Sequence, residues 1–239
     1  MSPETKNLFL DRYLTPVAVL LGAIIIAAAL VFGGGPKGAA TTPDVAAAPE
    51  VDVSKLTLTG PYIGSPDAPT TMALFYDYQC PFCQKFELEV MPELMDEVQA
   101  GKVRIVFKDF QFLGQYSEDP ERDDSMTAAV FGRAVWEAHP DRFYDWFRAM
   151  AEKQDEENGG FGDTKSVEAL TRTIPGIDGD RVVALVKEKG ATYQTAVIAD
   201  YEEGVAIGVQ GTPSVVVGKK LLSGLSSEAY IVQLTAAID

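Results

Sequence analysis

The stretch FYDYQCPFCQKFE, residues 75–87, holds the only two cysteines of a 239-residue chain, Cys80 and Cys83, with Pro81 and Phe82 between them. It continues TTMALFY at 70–76, an apolar, β-prone run of the kind that forms a buried central strand. It leads into an apolar residue at every fourth position (Phe86, Val90, Leu94, Val98), which predicts a helix starting near Pro81. Proline suits a first helical position, because the N–H it lacks has no intrahelical acceptor there and its fixed φ is already helical. Cys80 is then the N-cap, its sulfur facing the free amides of Phe82 and Cys83 and the positive end of the helix dipole. Both favour thiolate over thiol and lower the pKa below about 8.5. Cys83, one turn in, is expected to be the less exposed thiol, placed to attack a mixed disulfide formed on Cys80. Pro92 withholds an N–H from the carbonyl of Leu88, so a kink is expected inside the helix.

Three other uses of two cysteines compete with a redox pair. A zinc site normally takes four such ligands, and His139, the one histidine, would need distant carboxylates to complete it. A purely structural bridge across so short a loop constrains the unfolded chain little. Unpaired core thiols are the third. The position at a strand-to-helix junction favours the redox pair.

The run IGSPDAP at 63–69, together with 75–87, resembles the DsbA-like thiol–disulfide oxidoreductases of the thioredoxin superfamily, most closely their membrane-anchored extracytoplasmic branch. GVQGTPS at 208–214 is similar to that family's second motif, and the resemblance spans about residues 56–239. It implies an α/β, thioredoxin-like fold with an all-helical insertion at about 118–205. It implies Cys80 and Cys83 as catalytic residues, Cys80 exchanging with substrate sulfur and Cys83 resolving. Thr212 and Pro213 are implied to bind substrate, Pro213 after a cis bond beside the cysteines, the loop holding an extended strand by backbone hydrogen bonds. No organic cofactor and no metal are implied. The partners would be reduced or misoxidised exported proteins and a membrane redox protein, either a quinone-linked reoxidant or an electron donor. Strongly oxidising members often carry histidine between the cysteines; here Pro81-Phe82 leaves that charge out. Donation of disulfides is the implied reaction, with a reductase or isomerase, and a non-catalytic peptide-binding module of the same fold, as alternatives.

Elsewhere, strands are predicted at 56–59 and 103–107, and a hairpin from 213–217 and 220–222 turning at Gly218. Helices are predicted over 167–173, 181–189 and 192–204, and from Ser227, with Ile231, Leu234 and Ile238 on one side. Phe143, Trp146, Phe147 and Met150 mark one apolar helix face, read as core rather than binding groove. His139 is read as a capping or surface residue. Asp77 and Glu87 flank the motif and have two readings, as groups that shuttle protons or tune Cys83 and as solvated carboxylates, and neither is assigned as catalytic; the acidic runs at 118–124 and 152–157 are read as solvated loops or helix ends.

Residues 14–32, LTPVAVLLGAIIIAAALVF, run 19 positions without a charge, about 28 Å as a helix, which matches a bilayer core. A transmembrane anchor is therefore expected, in preference to a signal peptide cleaved near Ala46-Ala47-Ala48. Lys6 and Arg12 precede it and Lys37 alone follows soon after, which favours a cytoplasmic 1–13 and an extracytoplasmic catalytic domain on a single-pass membrane protein. Residues 33–53, rich in Gly, Pro, Ala and Thr, read as a flexible linker to a domain at 54–239. With 20 Lys and Arg against 35 Asp and Glu, the net charge of −15 argues against a nucleic-acid partner and against adhesion to anionic lipid.

Overall fold

The computed structural model describes residues 48–119 and 122–238. The predicted anchor at 14–32, residues 1–13 before it and the linker as far as residue 47 lie outside them. No helix among the described residues is long and apolar enough to cross a membrane.

The apolar run at 70–76 is strand β2 (Thr70–Tyr76), its last five residues buried. It sits at the centre of a sheet. β3 (Val103–Asp109) lies parallel to it, Thr70 opposite Val103 and Tyr76 opposite Asp109. β4 (Ser214–Val217) lies antiparallel on its other side. β1 (Tyr62–Ile63) and β5 (Lys220–Ser223) complete a five-stranded sheet in the order β1-β3-β2-β4-β5. The β4–β5 hairpin turns at Gly218, whose φ of 56° is the left-handed region that glycine enters without steric cost.

No strand forms at 56–59. Side chains satisfy that backbone instead: Thr57 N–H donates to Glu203, and the carbonyls of Thr57 and Leu58 accept from Lys108 and Arg104. The edge strand falls at 62–63.

The helix after the cysteines begins at Pro81 as α1 (Pro81–Lys85) and resumes as α2 (Met91–Gln99). Between them, at Phe86–Val90, the ladder widens to a π turn, with Met91 N–H reaching back to the Phe86 carbonyl. The distortion expected from Pro92 is taken up there, one turn ahead of the proline.

Between β3 and β4 lie four helices: α3 (Asp124–Ala138), α4 (Phe143–Lys153), α5 (Thr164–Thr171) and α6 (Gly179–Ile207). Asp123, Asp163 and Asp178 cap α3, α5 and α6, each accepting from the third amide of its helix. The spacing of apolar residues suggests two helices across 181–204, yet α6 runs unbroken through 29 residues. Gly190 keeps a right-handed conformation with open space around it; an interior glycine costs only about 1 kcal/mol, too little to break a packed helix. α3 has no strong sequence signal because its buried face is mostly small: Ala128, Ala129, Gly132 and Ala134. Smallness is what lets it approach the aromatic side chains of Tyr78 and Trp146, since a Cβ on Gly132 would lie 2.5 Å from the Tyr78 hydroxyl and 3.2 Å from the Trp146 ring. Phe143, Trp146, Phe147 and Met150 are core, as the periodicity indicates. The last helix, α7 (Ser227–Ala236), starts where Ser226 caps it. A buried ion cluster fastens the inserted helices to the sheet: Lys108 meets Asp200 and Glu203, and Arg133 meets Asp109 and Asp200.

The end of the expected linker is not free. Leu221 N–H donates to the Pro49 carbonyl at 3.0 Å and Val51 N–H to the Lys219 carbonyl at 2.8 Å, so residues 49–51 line the outer edge of β5. Val51, Val53 and Leu56 then pack on a second apolar cluster, which includes Ala73, Phe75, Ile207 and Leu221. A chain beginning at residue 54 loses those hydrogen bonds and two apolar side chains. It is expected to be about 2–3 kcal/mol less stable than one beginning at 48, a Tm lower by roughly 5–10 °C in scanning calorimetry. Equal melting temperatures would show that the segment contributes nothing.

Candidate functional site

Cys80 is extended (φ −78°, ψ 119°) and caps α1, with Pro81 in its first turn. Its carbonyl accepts from Cys83 and Gln84 N–H, and its own N–H donates to the Asp77 carbonyl at 3.1 Å. Both cysteines are free thiols. Across from them, the Thr212–Pro213 peptide bond is cis, and Cys80 Sγ donates to the Thr212 carbonyl at 3.3 Å. β4 begins at the next residue, so the residues named in the two sequence motifs meet although 132 positions separate Cys80 from Thr212.

Both residues are almost fully covered, Cys80 4% and Cys83 8% exposed, and of the two thiol groups that of Cys83 lies the deeper, as expected. Electrostatics distinguishes them further. The Cys80 thiol is lowered to about 7, first by the hydrogen bond from the Cys83 thiol, then by the Thr212 side chain and the amides of Cys83 and Phe82, all against the opposing effect of burial. The Thr212 hydroxyl is buried without another partner. Burial, followed by the neighbouring Cys80 sulfur, pushes Cys83 well up. The helix terminus visible in sequence acts through the Cys83 and Phe82 amides, and the neighbouring Cys83 thiol and the Thr212 side chain add to it. In the dithiol protein, alkylation by iodoacetamide is expected to modify Cys80 alone below pH 8, with a midpoint near pH 7. Cys83→Ala should move that midpoint upward, because the largest stabilisation of the thiolate is gone. Mass-spectrometric mapping of the alkylated residue at each pH checks both.

Phe82, 69% exposed, stands over a cavity of about 280 Å³ that Phe86, Val90, Pro213, Leu225 and Tyr230 also line. Tyr230 Oη donates to the Pro213 carbonyl at 2.8 Å and holds the cis loop against α7. Apolar walls beside a reactive sulfur can take a bulky side chain of an incoming polypeptide.

Neither acid near the cysteines is solvated, which removes the second of the two readings open for them. Asp77, fully buried, accepts from the amides of Gln79, Phe112 and Leu113 and from the Ser125 hydroxyl. The signal available in sequence was the aspartate two residues before Gln79, an Asx turn that shapes the approach to Cys80. Glu87, 1% exposed, receives no hydrogen bond on either oxygen. Burial raises it to about 8, while the Tyr144 hydroxyl and Arg148, whose Nη1 lies 3.8 Å away, pull the other way. His139 Nε2 accepts from Asp178 N–H at 3.0 Å at the end of α3, a structural contact. In the acidic runs, Asp124 is buried and paired with Arg122, and Asp155 accepts from the amides of Gly160 and Phe161, so these two organise loops. Among the described residues no three His, Cys, Asp or Glu side chains are grouped to hold a metal ion.

A family model described as thioredoxin matches residues 56–239. Disulfide bond formation protein D of Bacillus subtilis is 28% identical over 176 residues, 70% of this chain and 71% of that protein. Among solved structures, oxidised BdbD from Bacillus subtilis superposes with a TM-score of 0.64 at 22% identity, covering 80% of this chain and 95% of that one. DsbA of Chlamydia trachomatis does so with a TM-score of 0.60 at 21% identity, covering 79% and 97%.

Proposed function

This chain belongs to the thioredoxin family and is a thiol–disulfide oxidoreductase of the DsbA-like kind, and on that premise we propose that it donates disulfides to exported proteins through Cys80 and Cys83. The observation that carries the proposal is the asymmetry of the pair: one sulfur near neutrality at a helix start beside the Thr212–Pro213 loop, the other held protonated behind it.

A substrate thiolate attacks Cys80 Sγ of the Cys80–Cys83 disulfide. The Cys80–Cys83 bond breaks as the substrate–Cys80 bond forms, and Cys83 leaves with the electron pair and takes up a proton. A second substrate thiolate then attacks the first substrate sulfur and expels Cys80 as thiolate. Two substrate thiols are oxidised to a disulfide and the protein is left as the dithiol. Cys80 suits the final departure, because a thiol of low pKa leaves fast. Thr212 and Pro213 would position the substrate, and the adjoining apolar cavity would receive one of its bulky side chains. The anchor read at 14–32 would hold the domain outside the cell membrane, close to a membrane protein that accepts the electrons and restores the disulfide.

Titration of the protein from residue 48 onward against glutathione buffers tests the direction. A reduction potential less negative than about −200 mV is expected of a donor. A value near about −270 mV would overturn donation in favour of a reductase.

A further inference from the structure

From Ser214 onward β4 is paired on both sides, with Phe75 of β2 opposite Ser214 on one and Ser223 of β5 on the other. The residues just before it run past the sheet, and Thr212 and Pro213 line the apolar cavity beside Phe82. The carbonyls of this segment have unequal partners. Gly211 O accepts from the Ser214 hydroxyl at 2.7 Å, and Pro213 O accepts from the Tyr230 hydroxyl at 2.8 Å. Both donors belong to buried residues. The Thr212 carbonyl between them accepts, among the described residues, from the Cys80 thiol alone, at 3.3 Å. That donor loses its hydrogen when the protein is oxidised.

We propose that the Cys80 S–H and a backbone N–H of the substrate compete for the Thr212 carbonyl, so that the disulfide form holds substrate more tightly than the dithiol form and the reaction loosens its own product. The inference rests on the reading of the Thr212–Pro213 loop as the one that holds substrate, and it deepens that reading. An extended polypeptide is held through main-chain hydrogen bonds, and each acceptor it can use counts. In the Cys80–Cys83 disulfide, and in the mixed disulfide with substrate, Cys80 Sγ carries no hydrogen and the carbonyl is open to an incoming N–H. When the second substrate thiolate expels Cys80, the sulfur leaves as thiolate and takes up a proton from solvent. The new S–H regains the carbonyl, and the product strand loses that bond.

The neighbours make the competition effective. A strand displaced from Thr212 cannot slip by one residue and pair with Gly211 or Pro213, because the Ser214 and Tyr230 hydroxyls already occupy those carbonyls. Beyond Pro213 the sheet itself takes the strand on both sides. An S–H is a weak donor, so the expected effect is a bias of a few fold in affinity, enough to favour release without preventing capture.

The test is binding of a fluorescein-labelled, cysteine-free decapeptide to the full chain, read by fluorescence anisotropy. Serine stands in the peptide where a substrate has cysteine, with phenylalanine beside it, so no covalent step intervenes. At pH 6, where Cys80 is mostly protonated, the disulfide protein should bind the peptide about 3–5-fold more tightly than the dithiol protein. Cys80→Ala protein kept in reductant has neither the S–H nor a disulfide, and it should match the disulfide form. Equal affinities of the two wild-type forms would overturn the proposal. So would Cys80→Ala protein that binds as weakly as the dithiol form, because the difference would then come from a rearrangement driven by the disulfide. Absence of binding to every form would overturn the proposal together with the substrate-holding role of the loop. A strongly reducing potential with the binding difference intact would fault the donor direction alone and leave the competition standing.

Discussion

Cys83→Ala protein, offered a disulfide-bonded substrate, is expected to accumulate as a mixed disulfide on Cys80 and to lose turnover by on the order of 10³-fold or more. Cys80 retains its place at the helix start and its contact with the Thr212 loop, so the first exchange proceeds. The second has no partner. An intramolecular thiol acts at an effective concentration of roughly 10⁵ M or higher, which no external thiol at millimolar concentration replaces. Cys80→Ala removes the attacking sulfur and is expected to form no adduct at all, since the remaining Cys83 thiol is pushed well up and is a poor nucleophile near neutrality. Non-reducing electrophoresis with mass mapping of the adduct separates the two variants. An adduct on Cys83 in the Cys80→Ala protein would reverse the proposed roles.

The sequence made some of this site legible and left out the rest for identifiable reasons. β2 and the start of α1 could be placed because an apolar run and an N-terminal proline are local signals that act through the backbone. The thiolate at Cys80 could be anticipated from the helix terminus, but its largest stabilisers depend on the rotamer of Cys83 and on a loop 132 residues away. Sequence left Asp77 and Glu87 open between a tuning role and a solvated one, because whether a carboxylate is buried depends on what covers it, and the covering groups come from distant segments. Tyr144 and Arg148 of α4 lie over Glu87, and Phe112, Leu113 and Ser125 close over Asp77. α3 escaped notice for a related reason. Its buried face carries alanines and a glycine, whose role is close approach rather than apolar bulk, and no periodicity of large residues reports that. Residues 48–53 look like linker because they end a run, 33–53, rich in Gly, Pro, Ala and Thr and without a helical or strand period, yet an open sheet edge accepts almost any backbone that reaches it.

Asp77→Ala is expected to destabilise the protein by about 4 kcal/mol or more, the largest loss of stability foreseen for a single substitution near the site. Its carboxylate is the common acceptor for three amides (Gln79 at 2.9 Å, Phe112 at 2.9 Å, Leu113 at 3.0 Å) and for the Ser125 hydroxyl at 2.6 Å. Alanine leaves four buried donors without an acceptor, and each such group costs about 1–3 kcal/mol. Relaxation of the loop at 110–113 would recover part of that sum, which sets the figure nearer its lower end. Whole-domain stability is about 5–15 kcal/mol, so the loss alone can approach unfolding at 37 °C. Asp77→Asn is the informative companion. It keeps one acceptor oxygen but turns an NH₂ toward N–H groups, and should cost about 2 kcal/mol. Burial already raises the Asp77 carboxyl, with the hydrogen bonds from Ser125, Gln79, Leu113 and Phe112 opposing, so the asparagine variant is relieved of that buried charge and part of its cost is offset. Urea denaturation followed by circular dichroism measures both variants. An Asp77→Ala loss below about 1 kcal/mol would mean that water or a shifted loop replaces the carboxylate. Because the same residue's carbonyl receives Cys80 N–H, a loosened turn should also raise the pH midpoint for Cys80 alkylation in the asparagine protein, linking the stability of this turn to the reactivity of the sulfur that it positions.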